Sequence, residues 1–212
     1  MEHHRMFIKS IKQEPDPVYG QSPDILTLTT KGKQRLVKHR GRQKDAIRLT
    51  WGRMIRKDRK HRIHTITCQI CLSRHWISQG YDIVAYDNYF NKVTTGGSTR
   101  AETALQIKNI TVVPDSLIHI KKDDQSYLYA LEMHNGWDVK RIVNDQLWSV
   151  HTNLIASGRV GERYGVEADN RVLSVYEHKR CMHTAMERVG IDSRFRFLKH
   201  YFLFMWIGDL YN

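Results

Sequence analysis

Residues 110–135 read ITVVPDSLIHIKKDDQSYLYALEMHN, and the fold turns on them. The pattern predicts a first strand with Pro114-Asp115 at its head, a hairpin turn at Lys121-Lys122-Asp123-Asp124, and a return strand closing on Glu132-Met133-His134. Side chains alternate along a strand, so Tyr127, Tyr129, Leu131 and Met133 share one face while Leu128, Ala130, Glu132 and His134 share the other. Sixteen residues separate Asp115 from Glu132, a length that lets a hairpin bring them side by side. Two carboxylates meeting there can hold a hard divalent cation.

Outward from the hairpin, the strongest signal is charge. The 212-residue chain carries a formal net charge of +12. Fourteen Lys or Arg fall within residues 31–62, opposed only by Asp45 and Asp58, while the remainder holds 20 basic and 20 acidic residues and cancels. The candidate phosphate contacts are Lys31, Lys33, Arg35, Lys38, Arg40, Arg42, Lys44, Arg48, Arg53, Arg56, Lys57, Arg59 and Lys60. A local basic patch suits DNA through counterion release; a solvated basic linker is the alternative. The patch lacks the broad apolar face of an interfacial helix, so a membrane is not the expected partner. With no run of eighteen apolar residues and no signal peptide, a cytoplasmic location is expected. Three cysteines, an odd number, are expected to be reduced thiols.

Ahead of the patch, residues 7–11 and 25–29 read as strands around a turn cluster at 14–17. Residues 28–36, LTTKGKQRL, resemble the LT-x-x-G-x-x-x-L signature that follows the wing of many bacterial winged-helix proteins, where the Thr caps the closing helix. The sequence begins at the wing, either because its start is truncated or because the first residues form an abbreviated basic arm, and contacts to phosphates or a minor groove, not through a base-reading helix, are expected of this region. Residues 43–60 predict a helix with Ile47, Trp51, Met54 and Ile55 on one stripe, a basic connector.

His61, His64, Cys68, Cys71 and His75 recur at helical spacing. Zinc is one reading of such a set, but the spacing is that of a core-facing stripe, and core packing is the expectation. Residues 81–90 predict a strand, 91–100 a loop, 139–155 a helix ending near Gly158, 171–176 a buried strand, 178–189 a helix and 197–207 an aromatic strand. Glu102 is a possible further acid or a surface residue.

The order Pro114-Asp115, hairpin, Glu132-x-His134 resembles the PD-(D/E)xK restriction-endonuclease-like superfamily. The whole arrangement, including the RVLSVY strand at 171–176 and the FLFMW run at 202–206, is similar to the bacterial replication-relaxation family. That resemblance implies an α/β fold, a restriction-endonuclease-like mixed sheet flanked by helices and preceded by a partial winged-helix wing. It implies a wing or basic arm at 1–41, a connector at 42–59 and a nuclease-like domain at 60–212. Asp115 and Glu132 would bind Mg²⁺ or Mn²⁺, and His134 or Lys140 would orient the attacking water, His134 standing where the families carry Lys or Asp. The implied protein processes bacterial plasmid or mobile-element DNA as a nuclease or relaxase-like nickase, with other proteins of a mobilisation, replication or nucleoprotein complex as partners. Its alternatives are a non-catalytic DNA-binding regulator on the same scaffold and a structural subunit of such a complex.

Overall fold

The computed structural model describes residues 8–11, 25–40, 56–95 and 97–211. The chain divides into two compact units, Met1–Met54 and Ile55–Asn212.

In the first unit, β1 (Ile8–Ile11) pairs antiparallel with β2 (Ile25–Leu28), in register from Ile8 opposite Leu28 to Ile11 opposite Ile25. Helix α1 (Thr30–Arg40) follows at once. The Gly32 N–H donates to Thr29 Oγ1 at 3.1 Å, so the Thr hydroxyl satisfies one of the donors left open at the helix start, a cap of about 1 kcal/mol. The expected turn at 14–17 and most of the expected connector at 43–60 lie outside the described residues, as do Arg42, Lys44, Arg48 and Arg53.

The second unit opens with α2 (Arg56–Ser78) and β3 (Asp82–Asn88). Residues 91–100, expected as a loop, instead form a hairpin of β4 (Lys92–Thr95) and β5 (Ser98–Ala101), with Gly97 at φ 80 in its turn. Val93, Thr94 and Thr99 are β-branched and favour a pleated ribbon over a loop. Then β6 (Leu105–Ile107) pairs with β7 (Ile110–Val112) as a separate ribbon. Between β7 and the next strand stands Pro114, which has no N–H to give a ladder, so the first strand of the central hairpin starts only at Ser116.

The central hairpin is β8 (Ser116–Lys122) and β9 (Gln125–His134). Its loop is only Asp123-Asp124, at φ 50 and 64, the left-handed pair that a two-residue turn between twisted strands requires. The next helix, α3, begins as Val139–Arg141, winds as a π-helix over Ile142–His151 and returns to α form at Thr152–Ser157, ending on Gly158 at φ 65. A short α4 (Arg159–Tyr164), not foreseen from sequence, precedes β10 (Asn170–Tyr176), α5 (Lys179–Ile191) and β11 (Phe202–Trp206). The expected strand over 197–207 shortens to five residues: only Phe202 to Trp206 find partners on β10, and 3₁₀ turns at Ser193–Phe195 and Lys199–Tyr201 occupy the approach.

These strands build one mixed sheet in the order β11-β10-β9-β8-β3. Strands β9, β10 and β11 are parallel, each joined to the next through a helix, while β8 and β3 run antiparallel. One face packs Ile118, Ile120, Leu131, Met133, Leu173 and Val175 against Cys68 and Leu72 of α2. The other packs Val172 and Tyr176 on Ile142, Val143 and Leu147 of α3 and Ala185 and Val189 of α5. Leu117, Leu128 and Ala130 extend that second face toward β6, β7 and α4. Because both faces are covered, β10 is buried at every position but Arg171, as the inner strands of a sheet packed on both sides are. Among the described residues no helix is long and apolar enough to cross a membrane.

Candidate functional site

Asp115 immediately precedes Ser116, whose partner across the hairpin is Leu131, so the strand pairing delivers Asp115 beside Glu132. Asp115 is nearly buried and doubly held: Oδ2 accepts the Met133 main-chain N–H at 2.7 Å and Oδ1 lies 2.7 Å from His61 Nε2. Asn135, just beyond β9, orders two rings of α2. Its Nδ2 donates to His61 Nδ1 at 3.2 Å, and its Oδ1 accepts from His64 Nδ1 at 2.8 Å. With Nδ1 of His61 used as acceptor, the ring presents its Nε2–H to Asp115. Burial outweighs the Asn135 bond and holds the His64 pKa below the usual imidazole range.

Glu132 faces the α3 side, where His151 Nε2 lies 3.1 Å from its Oε1. Burial first, and then the charge of Asp115, raise the Glu132 carboxyl above the ordinary carboxylate range, with His151 opposing. His151 is the last residue of the π-helix, a rare winding that tends to occur at functional positions. His134 is also buried on this face, its ring 4.7 Å from that of Tyr176. Burial, and then the neighbouring His151 and His61, push its pKa down to about 3, so the ring is neutral at physiological pH. Among the described residues His151 Nδ1 is buried without a hydrogen-bond partner, while the side chains of Gln146 and Ser174 lie against those of His134 and Tyr176. Ser174 is the register partner of Glu132 and Tyr176 that of His134, so these groups concentrate polar atoms around the acid.

The other sequence-selected residues distribute differently. Lys140 is exposed on the first turn of α3. Glu102 Oε2 accepts from Asn91 at an exposed position, tying its loop and not the site. Lys31, Arg35 and Lys38 are exposed along α1, and Lys33 and Arg40 belong to the same helix. Arg56, Lys57 and Arg59 lie in the first turn of α2 with Lys60, which is ion-paired to Glu177. The His/Cys stripe does not converge: Cys68 is in the core as expected, His75 is exposed, and His61 and His64 turn to Asp115 and Asn135. His61 was thus legible as a member of a helical stripe but not as the partner of an acid, and nothing local marked His151 or Asn135.

Among the described residues no group of three or more His, Cys, Asp or Glu is arranged to hold a metal ion. The carboxylate pair by itself matches Mg²⁺ or Mn²⁺ in donor chemistry, since Mg²⁺ is commonly held by one or two carboxylates with water completing the shell. A cation there would displace the His61 and His151 contacts. No family model matches the chain, and no curated protein or solved structure gives a significant match.

Proposed function

We propose that the chain binds DNA and that its second unit is a restriction-endonuclease-like domain, in which Asp115 and Glu132 take up Mg²⁺ or Mn²⁺ for phosphodiester cleavage. The observation that carries this reading is the meeting of two carboxylates at the head of β8 and the tail of β9, each with an imidazole nitrogen at hydrogen-bond distance. Two acids in that state repel, and a divalent cation relieves the repulsion. When bound, the ion would polarise the phosphate and activate water. The chain's own part is to hold it with Asp115 and Glu132, to keep the Met133 N–H on Asp115, and, through the Asn135 bond to Nδ1, to turn the His61 Nε2–H toward the site as a hydrogen-bond donor. His134 does not replace a lysine here, because its buried neutral ring has no charge to lend. Apart from the ribbons β4–β7 and the short α4, the order of α2, the antiparallel strands β3, β8 and β9, then α3, β10, α5 and β11 supports the nuclease-like assignment. The basic stretch at 31–62 supports the DNA partner. A plasmid or mobile-element setting, a bacterial cytoplasm and partner proteins of a nucleoprotein complex follow from the family resemblance.

One observation favours the second reading, a non-catalytic DNA-binding scaffold: both carboxylates already have imidazole partners, and Lys140 is exposed on its helix. Incubating supercoiled DNA with the protein and Mg²⁺ or Mn²⁺ separates the two. Nicking by the wild type that is lost in Asp115→Asn and Glu132→Gln supports the enzyme; intact DNA with retained binding leaves the scaffold.

A further inference from the structure

Trp137 stands on the loop that leaves β9 three residues after His134, and 67% of it is exposed. Its indole stacks on the imidazole of His178, with ring centroids 3.7 Å apart and planes inclined by 18°. His178 leaves β10 two residues after Tyr176, the register partner of His134. Main-chain pairing continues past the strands, the Glu177 N–H donating to the His134 carbonyl at 3.0 Å. Both rings therefore rise from the two parallel strands that carry Glu132, His134, Ser174 and Tyr176, outside their carboxyl ends, where open α/β sheets place ligands.

The exposed charges beside the stack are mostly cationic. The helices that start beyond the two rings begin with Lys140-Arg141 and Lys179-Arg180, all four exposed, with Lys179 5.3 Å from the Trp206 ring; of the two neighbouring acids, Asp138 caps the first helix and Glu177 is paired with Lys60. Cations at a helix N-terminus oppose the helix dipole and gain nothing from it. They suit a polyanion lying across both helix starts. A rigid aromatic pair with a large exposed face, flanked by cations, has the two parts of a single-strand binding surface: a base stacks on the ring and its phosphates meet the Lys and Arg.

We infer that the Trp137–His178 stack is a platform for an unpaired nucleobase, which makes single-stranded or locally opened nucleic acid the substrate class of the adjoining Asp115–Glu132 site. This rests on the nucleic-acid reading above. In duplex DNA the base faces are already stacked on their neighbours; an unpaired base offers a free face to Trp137.

The test uses the full chain and three labelled oligomers of about twenty units, long enough for a typical single-strand site. They are an oligothymidine, an abasic strand with the same phosphates, and a blunt duplex. The wild type should bind oligothymidine more tightly than either of the others. Trp137→Ala should weaken oligothymidine binding about 10-fold, leave abasic binding unchanged, and be largely rescued in Trp137→Phe, because stacking contributes about one decade in affinity per base. Unaltered oligothymidine affinity in Trp137→Ala overturns the inference. So does an equal loss on the abasic strand, which would mark Trp137 as a support for the loop. Binding of none of the three oligomers by the wild type would remove the nucleic-acid reading and this inference together, whereas absence of cleavage with base-dependent binding intact would remove the enzyme alone.

Discussion

Asp115 and His61 lie fifty-four positions apart, yet the acid's Oδ1 is 2.7 Å from the ring's Nε2 while its other oxygen accepts the Met133 N–H. The side chain thus belongs both to the candidate ion site and to the sheet. Removing it exposes the difference. Asp115→Ala should cost about 1–3 kcal/mol in urea unfolding, the penalty of a buried N–H without an acceptor. Asp115→Asn keeps an oxygen for Met133 and should be milder, so the Asn variant is the one in which lost cleavage reports on the ion. Equal stability of the Ala variant and wild type would show that the Met133 bond contributes nothing.

Glu132 should trade stability against cation binding. Its folded pKa is raised by burial and by Asp115, so the group favours the fold when protonated, and that contribution is lost as pH rises through the folded value. Glu132→Gln should therefore unfold at a higher temperature than wild type near pH 8, with the advantage shrinking as pH falls toward about 4.5, the ordinary range of a glutamate carboxyl. Mg²⁺ or Mn²⁺ should raise the wild-type unfolding temperature and leave that of the variant unmoved, since only a ligand bound to the native state stabilises it. A cation response that survives in Glu132→Gln would place the ion elsewhere.

His134 gives a pH dependence of known sign. A base whose folded pKa is depressed to about 3 adds a proton only on unfolding as pH falls below the ordinary histidine range, so wild-type stability should fall by up to about 1.4 kcal/mol per pH unit between about 6.5 and 3 from this group. His64 and His119, also lowered by burial, act in the same direction. Comparing urea midpoints at pH 7 and 5 for wild type and His134→Gln isolates the His134 share: the variant should lose less. His134→Lys would bury an ammonium and should be destabilised by about 3 kcal/mol or more instead of gaining activity.

For the basic patch, Lys31, Arg35 and Lys38 are exposed on α1 and can be reversed in charge. Replacing all three by Glu should weaken DNA retention and lower the slope of log affinity against log salt by about one unit for each phosphate that is no longer neutralised. An unchanged slope, measured from low to moderate salt, would assign this stretch to solubility.

Much of this protein was legible from short-range pattern. Alternation along residues 125–134 set Leu131 and Met133 against Glu132 and His134, and the sheet buries them on opposite faces as that period requires. Thr29 caps a helix because a hydroxyl at that position meets an open N–H, a relation spanning three residues. Such features depend on neighbours in the chain. The partners of the acids do not. His61 and His151 reach Asp115 and Glu132 from helices on opposite faces of the sheet, Asn135 orders two rings from beyond the strand end, and Trp137 meets His178 across two parallel strands. The family resemblance cast His134 as a residue that orients the attacking water; packing under α3 and Tyr176 makes it a buried neutral ring. Burial and strand register, which only the tertiary structure supplies, decide which charges persist and which rings meet, because desolvation and stacking act through space and not along the chain.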